Sequence, residues 1–338
     1  MPAVEGQASC DLCCEVKMAA AGGTRGARQL AERIRAEMRA AKKQKECAGT
    51  LPVVAALREL RSFVVRPDLE LVLINKAPGL PTHGGPAVHH SVSSLLPALA
   101  TMLFGKEVEP LRICHRLDKD TSGALLLARS SAAAERVQRL MQEHRIHRVY
   151  WAVCLGVPTP LEGIVDIPII EKEVIGPQRH YKMSLCPRLR VLPDGSTLRS
   201  RVSRSAHEAV TQYRTLAKSC GASLLELQPL TGVKHQLRTH LALALNCPIL
   251  GDHKYSHWDR LAPQKLPQSL LRALSLTPQQ TRSLLLHLHA AQITLPPTSG
   301  SDPIVLRCSP PKHFLRTLRK LQLPVPDLQR SDVPPTEM

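Results

Sequence analysis

An α+β fold on a mixed, largely antiparallel central sheet is what this 338-residue sequence predicts. Three observations carry that reading. Short apolar runs of strand length, such as 69-LELVLINK-76 and 124-ALLLA-128, are bounded by Pro and Gly. A few longer stretches show helical spacing instead. The two types follow one another without the regular βα alternation of a parallel doubly wound sheet, and no internal repeat of fixed period stands out.

Residues 1–60 read as a basic N-terminal extension and a candidate targeting segment. The first 17 residues carry Glu5, Asp11 and Glu15 and no apolar run of the secretory type. From Met18, Leu30, Ile34, Met38 and Ala41 recur at helical spacing with arginines and lysines on the other faces. A mitochondrial presequence, an RNA-gripping basic arm and a solvated helix all fit that pattern. Glu32 and Glu37 weigh against the presequence, because transit peptides are poor in acids.

Residues 61–310 read as the folded domain. Strands are expected over 69–76, 124–128, 149–156, 210–217, 223–230 and 286–295, with a turn-rich loop over 77-APGLPTHGG-85. A helix is expected over 132–144, with Val137, Leu140 and Met141 on one face. A second is expected over 232–245, N-capped by Thr231 and stopped by Asn246 and Pro248. Residues 171–206, rich in arginine, Pro and Gly, read as a long basic excursion. Residues 311–338 read as a C-terminal tail.

Charge and composition restrict the class of partner. A formal net charge of +17 costs stability through self-repulsion unless a polyanion offsets it, which points to nucleic acid or an anionic membrane surface. No apolar run approaches the ~20 residues of a membrane span, so no membrane insertion is expected. Aromatics make up only 3% of residues, too few for a fold that reads single strands by stacking bases on many exposed rings. Among the 10 cysteines, Cys10, Cys13 and Cys14 cluster without a second pair to complete a zinc site, and reduced thiols are expected.

Three places could do chemistry. In 114-CHRLDKDTSGALLLA-128, Asp118 stands between Arg116 and Lys119. Nearby cations favour the ionised form of a carboxylate, so a low pKa and a nucleophile's or base's role are expected, against the plainer reading of a solvated ion cluster. In 149-VYWAV-153, Tyr150 and Trp151 alternate, one toward the core and the other toward a cleft or water. In 231-TGVKHQLRTH-240, helical spacing puts Lys234, His235 and Arg238 on one face, which needs a carboxylate if it is buried. Asp118 is available as that partner. The pair His287 and His289 could be half a metal site. Without clear carboxylate or cysteine companions it reads as packing, and no metal site is expected.

Taken together, the segments INKAPGLPTHGG, HRLDKDTSG, VYWAV, TG-x-x-HQLR-x-H, PILGDHKYS and LHLHA, in this order from about Leu69 to Pro296, resemble the RluA-type pseudouridine synthase family. The stretches 164–173 and 247–265 are similar to its vertebrate mitochondrial branch. The resemblance implies the pseudouridine synthase fold, with flanking helices, a catalytic cleft across the sheet, and residues 61–310 as the catalytic domain. It implies isomerisation of uridine in RNA without a metal or other cofactor. Its substrate would be mitochondrial rRNA, tRNA or mRNA in the matrix (with nucleus or cytoplasm as the alternative), and RNA-granule or ribosome-assembly proteins would be candidate partners.

Carried over, Asp118 is the catalytic aspartate, Tyr150 the aromatic that stacks on the target uracil, and Arg238 the arginine paired with Asp118. Arg116 resembles the residue that fills the gap left by a flipped nucleotide. Lys234, His235, Arg201 and Arg204 are expected on the RNA. The chain departs from the family where the third motif usually begins TGR: here it has Thr231-Gly232-Val233.

Overall fold

The computed structural model describes residues 63–66, 69–85, 88, 90–105, 108–175, 179–191, 197–199, 203–297 and 302–326. The basic extension, its cysteines and Arg201 lie outside the described residues.

The described chain builds one large sheet in the order β1 (Phe63–Arg66), β2 (Leu71–Lys76), β4 (Ser122–Ala128), β13 (Leu288–Leu295), β5 (His147–Leu155), β12 (Ala222–Pro229), β11 (Val210–Ser219) and β6 (Glu162–Asp166). Two short strands join off this path: β3 (Arg112–Ile113) pairs with β4, and β14 (Ile304–Arg307) with β13. Only β4 and β13 run parallel, so the sheet is mixed and largely antiparallel, as expected. A side hairpin of β7 (Ile169–Val174) and β8 (His180–Leu185) and a small pair, β9 (Leu189–Val191) with β10 (Thr197–Arg199), make up the basic excursion.

Five α-helices complete the described residues: α1 (Val92–Phe104), α2 (Ser131–Gln142), α3 (Gln236–Thr239), α4 (Gln268–Leu274) and α5 (Lys312–Lys320). Helix α2 begins where Ser130 accepts the Ala133 N–H, and it packs on β4 through Ala133, Ala134 and Val137. On one face of the sheet Val149, Trp151, Val153 and Leu224 bury against Leu270 and Leu274 of α4 and Phe314 and Leu318 of α5.

That cluster corrects the reading of 311–338 as a tail. Phe314, Leu318 and Leu321 are fully buried, and each side chain of this size contributes about 2 kcal/mol by leaving water. Their i, i+4 and i+7 spacing marks an amphipathic helix, so the domain runs past residue 310.

Two glycines fix the loops that carry the site. Gly123 (φ +111°) opens β4, and a Cβ there would lie 2.2 Å from the Ala290 carbonyl oxygen of the parallel neighbour. Gly251 (φ +81°) lets the loop after the 249–250 turn press on the Leu285 carbonyl, where a Cβ would lie 2.1 Å away. No other residue fits either contact.

Candidate active site

Asp118 sits in the loop that leads into β4, whose seven residues are all buried. Two side chains, one at the end of β2 and one in the 77–85 loop, brace its backbone. The fully buried Lys76 donates to the carbonyls of Ala77, Leu80 and Lys119, each at 2.9 Å, and so employs all three ammonium protons. Burial pushes its pKa down to about 7, against the pull of Asp120 and Asp118. Thr82 Oγ1 donates to the Leu117 carbonyl at 2.7 Å and accepts the Leu117 N–H at 3.2 Å. The loop holding the carboxylate is therefore clamped on both sides of Leu117–Lys119.

The segment after β12 differs from the expected long helix. Thr231 does not cap it. Its Oγ1 accepts the Val210 N–H and donates to Gln236 Oε1. The buried Gln236 amide also accepts the Val233 N–H and donates to Val210 O and Thr211 Oγ1. These side-chain bonds satisfy the backbone where helical bonds would have formed, and the chain runs as a strap up to His235. His235 adopts the left-handed region at φ 54°. Helix α3 then makes a single turn and continues as a π-turn over His240–Ala244, and Asn246 ends it at φ 52°, as expected of a left-handed stop.

This strap brings Arg238 and His235 to Asp118 from more than a hundred residues away. Arg238 Nη1 lies 3.8 Å and His235 Nε2 3.9 Å from Asp118 Oδ2. The tight partner of Arg238 is instead Asp252, which accepts from Nε and Nη2 at 2.8 Å each. Asp252 is 1% exposed and takes two more bonds, from the N–H groups of Lys254 and Tyr255, both at 3.1 Å. One edge of the guanidinium fork is thus locked, and Nη1 is left to face Asp118. Burial disfavours the arginine's charge, but hydrogen bonding to Asp252 and the fields of Asp252 and Asp118 outweigh it and raise its pKa.

The expected low pKa of Asp118 is corrected. Burial raises it, and the nearby Asp252 raises it further; Arg238, Arg116 and Lys76 oppose but do not overcome this. Three cations surround the acid, yet the closest has been engaged by another carboxylate and stands beyond hydrogen-bonding distance.

Asp118 faces two cavities. The smaller, about 270 Å³, is lined by Arg116, Thr121, Arg148, Tyr150, Lys234 and Leu288, among others. The larger, about 610 Å³, opens on its other side between His253, Lys254, Leu261 and Leu285. Tyr150 and Trp151 point to opposite faces as expected. Trp151 enters the core, and Tyr150, 8% exposed, borders the smaller cavity, where burial pushes its phenol pKa up. Arg148 donates to the Pro229 and Thr231 carbonyls and so fixes the root of the strap.

Arg116 is exposed at the rim of the smaller cavity. Lys234 precedes α3 rather than lying on it, and its ammonium is 2.6 Å from Glu171 of β7. Arg204 is exposed on the basic excursion. Val233, standing where the family usually has arginine, packs against a small apolar cluster of Ile169, Met183, Ala209 and Tyr255. His287 and His289 are core residues. The first bonds Leu285 O and Thr317 Oγ1, and the second bonds Ser122 Oγ and Cys308 O. No group of three or more metal-ligating side chains occurs among the described residues. No described helix is long and apolar enough to cross a membrane.

Lys76, Thr82, Asp252 and Tyr255 were not singled out from the sequence. Lys76 carried a signal, being a lysine inside an apolar strand, LVLINK, whose alternation turns it inward. Asp252 carried none beyond its place in PILGDHKYS.

The sequence model of RNA pseudouridylate synthases matches residues 70–243. The chain is 64% identical over 324 residues to a Xenopus tropicalis protein named "Pseudouridylate synthase RPUSD4, mitochondrial", covering 95% of this chain and 100% of that one. It is 47% identical over 333 residues to the Bos taurus protein of the same name, covering 93% and 88%. Among solved structures, "Human RNA Pseudouridylate Synthase Domain Containing 4" superposes with a TM-score of 0.72 at 44% identity, covering 81% of this chain and 98% of that one. An acid at the head of a buried strand, two cavities beside it, and these matches across nearly the whole length lead to one conclusion: the chain belongs to the RNA pseudouridylate synthase family.

Proposed function

We propose that this enzyme isomerises uridine in mitochondrial RNA, with Asp118 as the catalytic carboxylate and the smaller cavity as the seat of the extruded base. The observation that carries the reading is the position of Asp118. It is partly open to the cavity bordered by Tyr150 and Arg116, on a backbone clamped by Lys76 and Thr82.

Uridine and pseudouridine are isomers, so the reaction balances without an oxidant, reductant or group donor. The N1–C1′ bond breaks, the uracil turns while bound, C5 bonds to C1′, the C5 proton leaves and N1 gains a proton. Ionised Asp118 acts on the ribose, either by attacking C1′ or by removing the 2′ proton. Arg238 Nη1 faces the carboxylate and favours its ionised form. Tyr150 stacks on the uracil and holds it through the turn. Arg116 fills the gap left in the RNA.

Extruding a base costs a few kcal/mol, which phosphate contacts offset. Exposed Arg204 and, outside the described residues, Arg201 supply such contacts. Lys234 contributes only after parting from Glu171. His235 is read as an RNA contact through its place on the cavity wall. The mitochondrial names of the relatives and the basic stretch after Met18 support residence in the matrix, where rRNA, tRNA or mRNA would be the substrate and RNA-granule or ribosome-assembly proteins the neighbours.

Mapping pseudouridine in mitochondrial RNA from cells that lack the protein, and from the same cells given the wild type or Asp118→Asn, tests this. Sites lost in its absence should return with the wild type only. Rescue of RNA function by Asp118→Asn would instead favour a catalysis-independent RNA-binding assembly factor. A cytosolic location for the full chain would overturn the matrix assignment.

A further inference from the structure

We infer that Tyr255 and His235 form a positioning pair for Asp118, in which the phenol fixes the imidazole tautomer and the imidazole presents a neutral N–H to the carboxylate. The inference rests on the reading of Asp118 as the catalytic acid.

Met183 N–H donates to Tyr255 Oη at 3.1 Å, and the same oxygen lies 2.9 Å from His235 Nδ1. In this assignment the phenol oxygen, which accepts the Met183 N–H, gives its own proton to Nδ1. The imidazole proton then sits on Nε2, the nitrogen 3.9 Å from Asp118 Oδ2. The rings meet edge to face with centroids 5.7 Å apart, and Tyr255 is 5% exposed.

Independent contacts hold this geometry. The Tyr255 N–H is bound by Asp252, and the Arg238 guanidinium lies 5.2 Å from the phenol ring centre. The ammonium of Lys182, next to Met183 on β8, gathers the carbonyls of His257, Trp258 and Arg260 and ties that strand to the 252–260 loop. His235 takes up a left-handed backbone, uncommon outside glycine, and in that conformation its ring spans Tyr255 and Asp118.

The arrangement answers a need of the site. Arg238 has given two of its three nitrogens to Asp252, so Asp118 depends on further donors if it is to ionise in a buried position. The groups facing His235 are Asp118 and Arg116 from the loop before β4, Lys234 and Arg238 from its own segment, and Lys254 and Tyr255 from the 252–255 loop. Burial and the four cations among them push the imidazole pKa down to about 2, so His235 donates as a neutral group.

The test uses the full chain and mitochondrial RNA labelled with tritium at uridine C5, taken from cells lacking the protein. Single-turnover tritium release is followed against pH for the wild type, His235→Leu, His235→Gln, Tyr255→Phe and Asp118→Asn, with RNA affinity and thermal unfolding measured alongside. Loss of the N–H directed at the carboxylate from 3.9 Å should move the acid limb of the rate upward by about one pH unit in His235→Leu and Tyr255→Phe. That is about a tenfold loss of rate at pH values on the acid side of the wild-type limb, with RNA affinity held within about twofold in Tyr255→Phe, whose phenol lines neither cavity. His235→Gln, whose amide can replace Nε2–H, should recover most of the loss. Should His235→Leu fail to fold, Tyr255→Phe and His235→Gln carry the comparison. Acid limbs that coincide with the wild type, or a loss found wholly in RNA affinity, would overturn the pair. Full release by Asp118→Asn would instead overturn the assignment of Asp118 beneath it.

Discussion

The Arg238–Asp252 lock makes a quantitative prediction. Arg238→Met removes the fork that pairs Asp252, a carboxylate 1% exposed, and leaves it with two backbone N–H bonds in place of four hydrogen bonds. An uncompensated buried charge costs about 3–5 kcal/mol. Asp252→Asn should cost a similar amount, since it strands a buried guanidinium whose other carboxylate, Asp118, is 3.8 Å away. In the double variant neither charge remains to be stranded, so its cost should fall short of the sum by about 2–3 kcal/mol. Urea unfolding followed by circular dichroism reads these differences. With an m-value of about 3 kcal/mol per molar, each single variant should lower the midpoint by about 1–1.7 M. Additive costs, or a loss below about 1 kcal/mol for Arg238→Met, would refute the claim that this arginine serves Asp252 first and Asp118 second.

Other consequences follow from the same geometry. Asp118→Asn should abolish isomerisation yet stabilise the fold by about 1 kcal/mol at neutral pH, because a buried acid with a raised pKa is destabilising when ionised. The gain should fade as pH drops toward 3.8, where the wild-type carboxyl is itself protonated, and thermal unfolding at a series of pH values would reveal it. Lys76, held near 7 against 10.5 in the unfolded chain, takes up its proton preferentially on unfolding, so wild-type stability should rise between those pH values. Lys76→Met should flatten that rise and cost about 2 kcal/mol through three abandoned carbonyls, as measured by urea unfolding. Gly123→Ala must displace Ala290 backbone and should cost more than about 3 kcal/mol, whereas Gly79→Ala, with nothing within 4 Å of its Cβ, should cost about 1 kcal/mol. Arg116→Ala should weaken RNA binding across sequences and reduce the slope of log K against log salt by about 1, read by titration at several salt concentrations.

What could be read from residues alone follows how local each determinant is. Strands β4 and β5 were visible because short apolar runs end at Gly or Pro within a few residues. The reach of Arg238 and His235 toward Asp118 was visible as well, since a buried cationic face needs an acid. The long helix expected over 232–245 was not borne out, because Gln236 spends its amide on Val210, Thr211 and Val233, partners that no periodicity announces. The low pKa expected for Asp118 failed for a similar reason. It counted neighbours in sequence, whereas burial and Asp252, brought in by the Gly251 turn, decide the sign. The helix at 312–320 could have been found, since Phe314, Leu318 and Leu321 repeat at its period.

The most direct measurement compares wild-type protein with Asp118→Asn for tritium release from uridine-labelled mitochondrial RNA, at equal RNA occupancy and with folding verified for both. The wild type should release tritium in proportion to the pseudouridine formed, and the variant should bind the RNA and release none above background. Equal release from the two proteins would contradict the role given to this carboxylate.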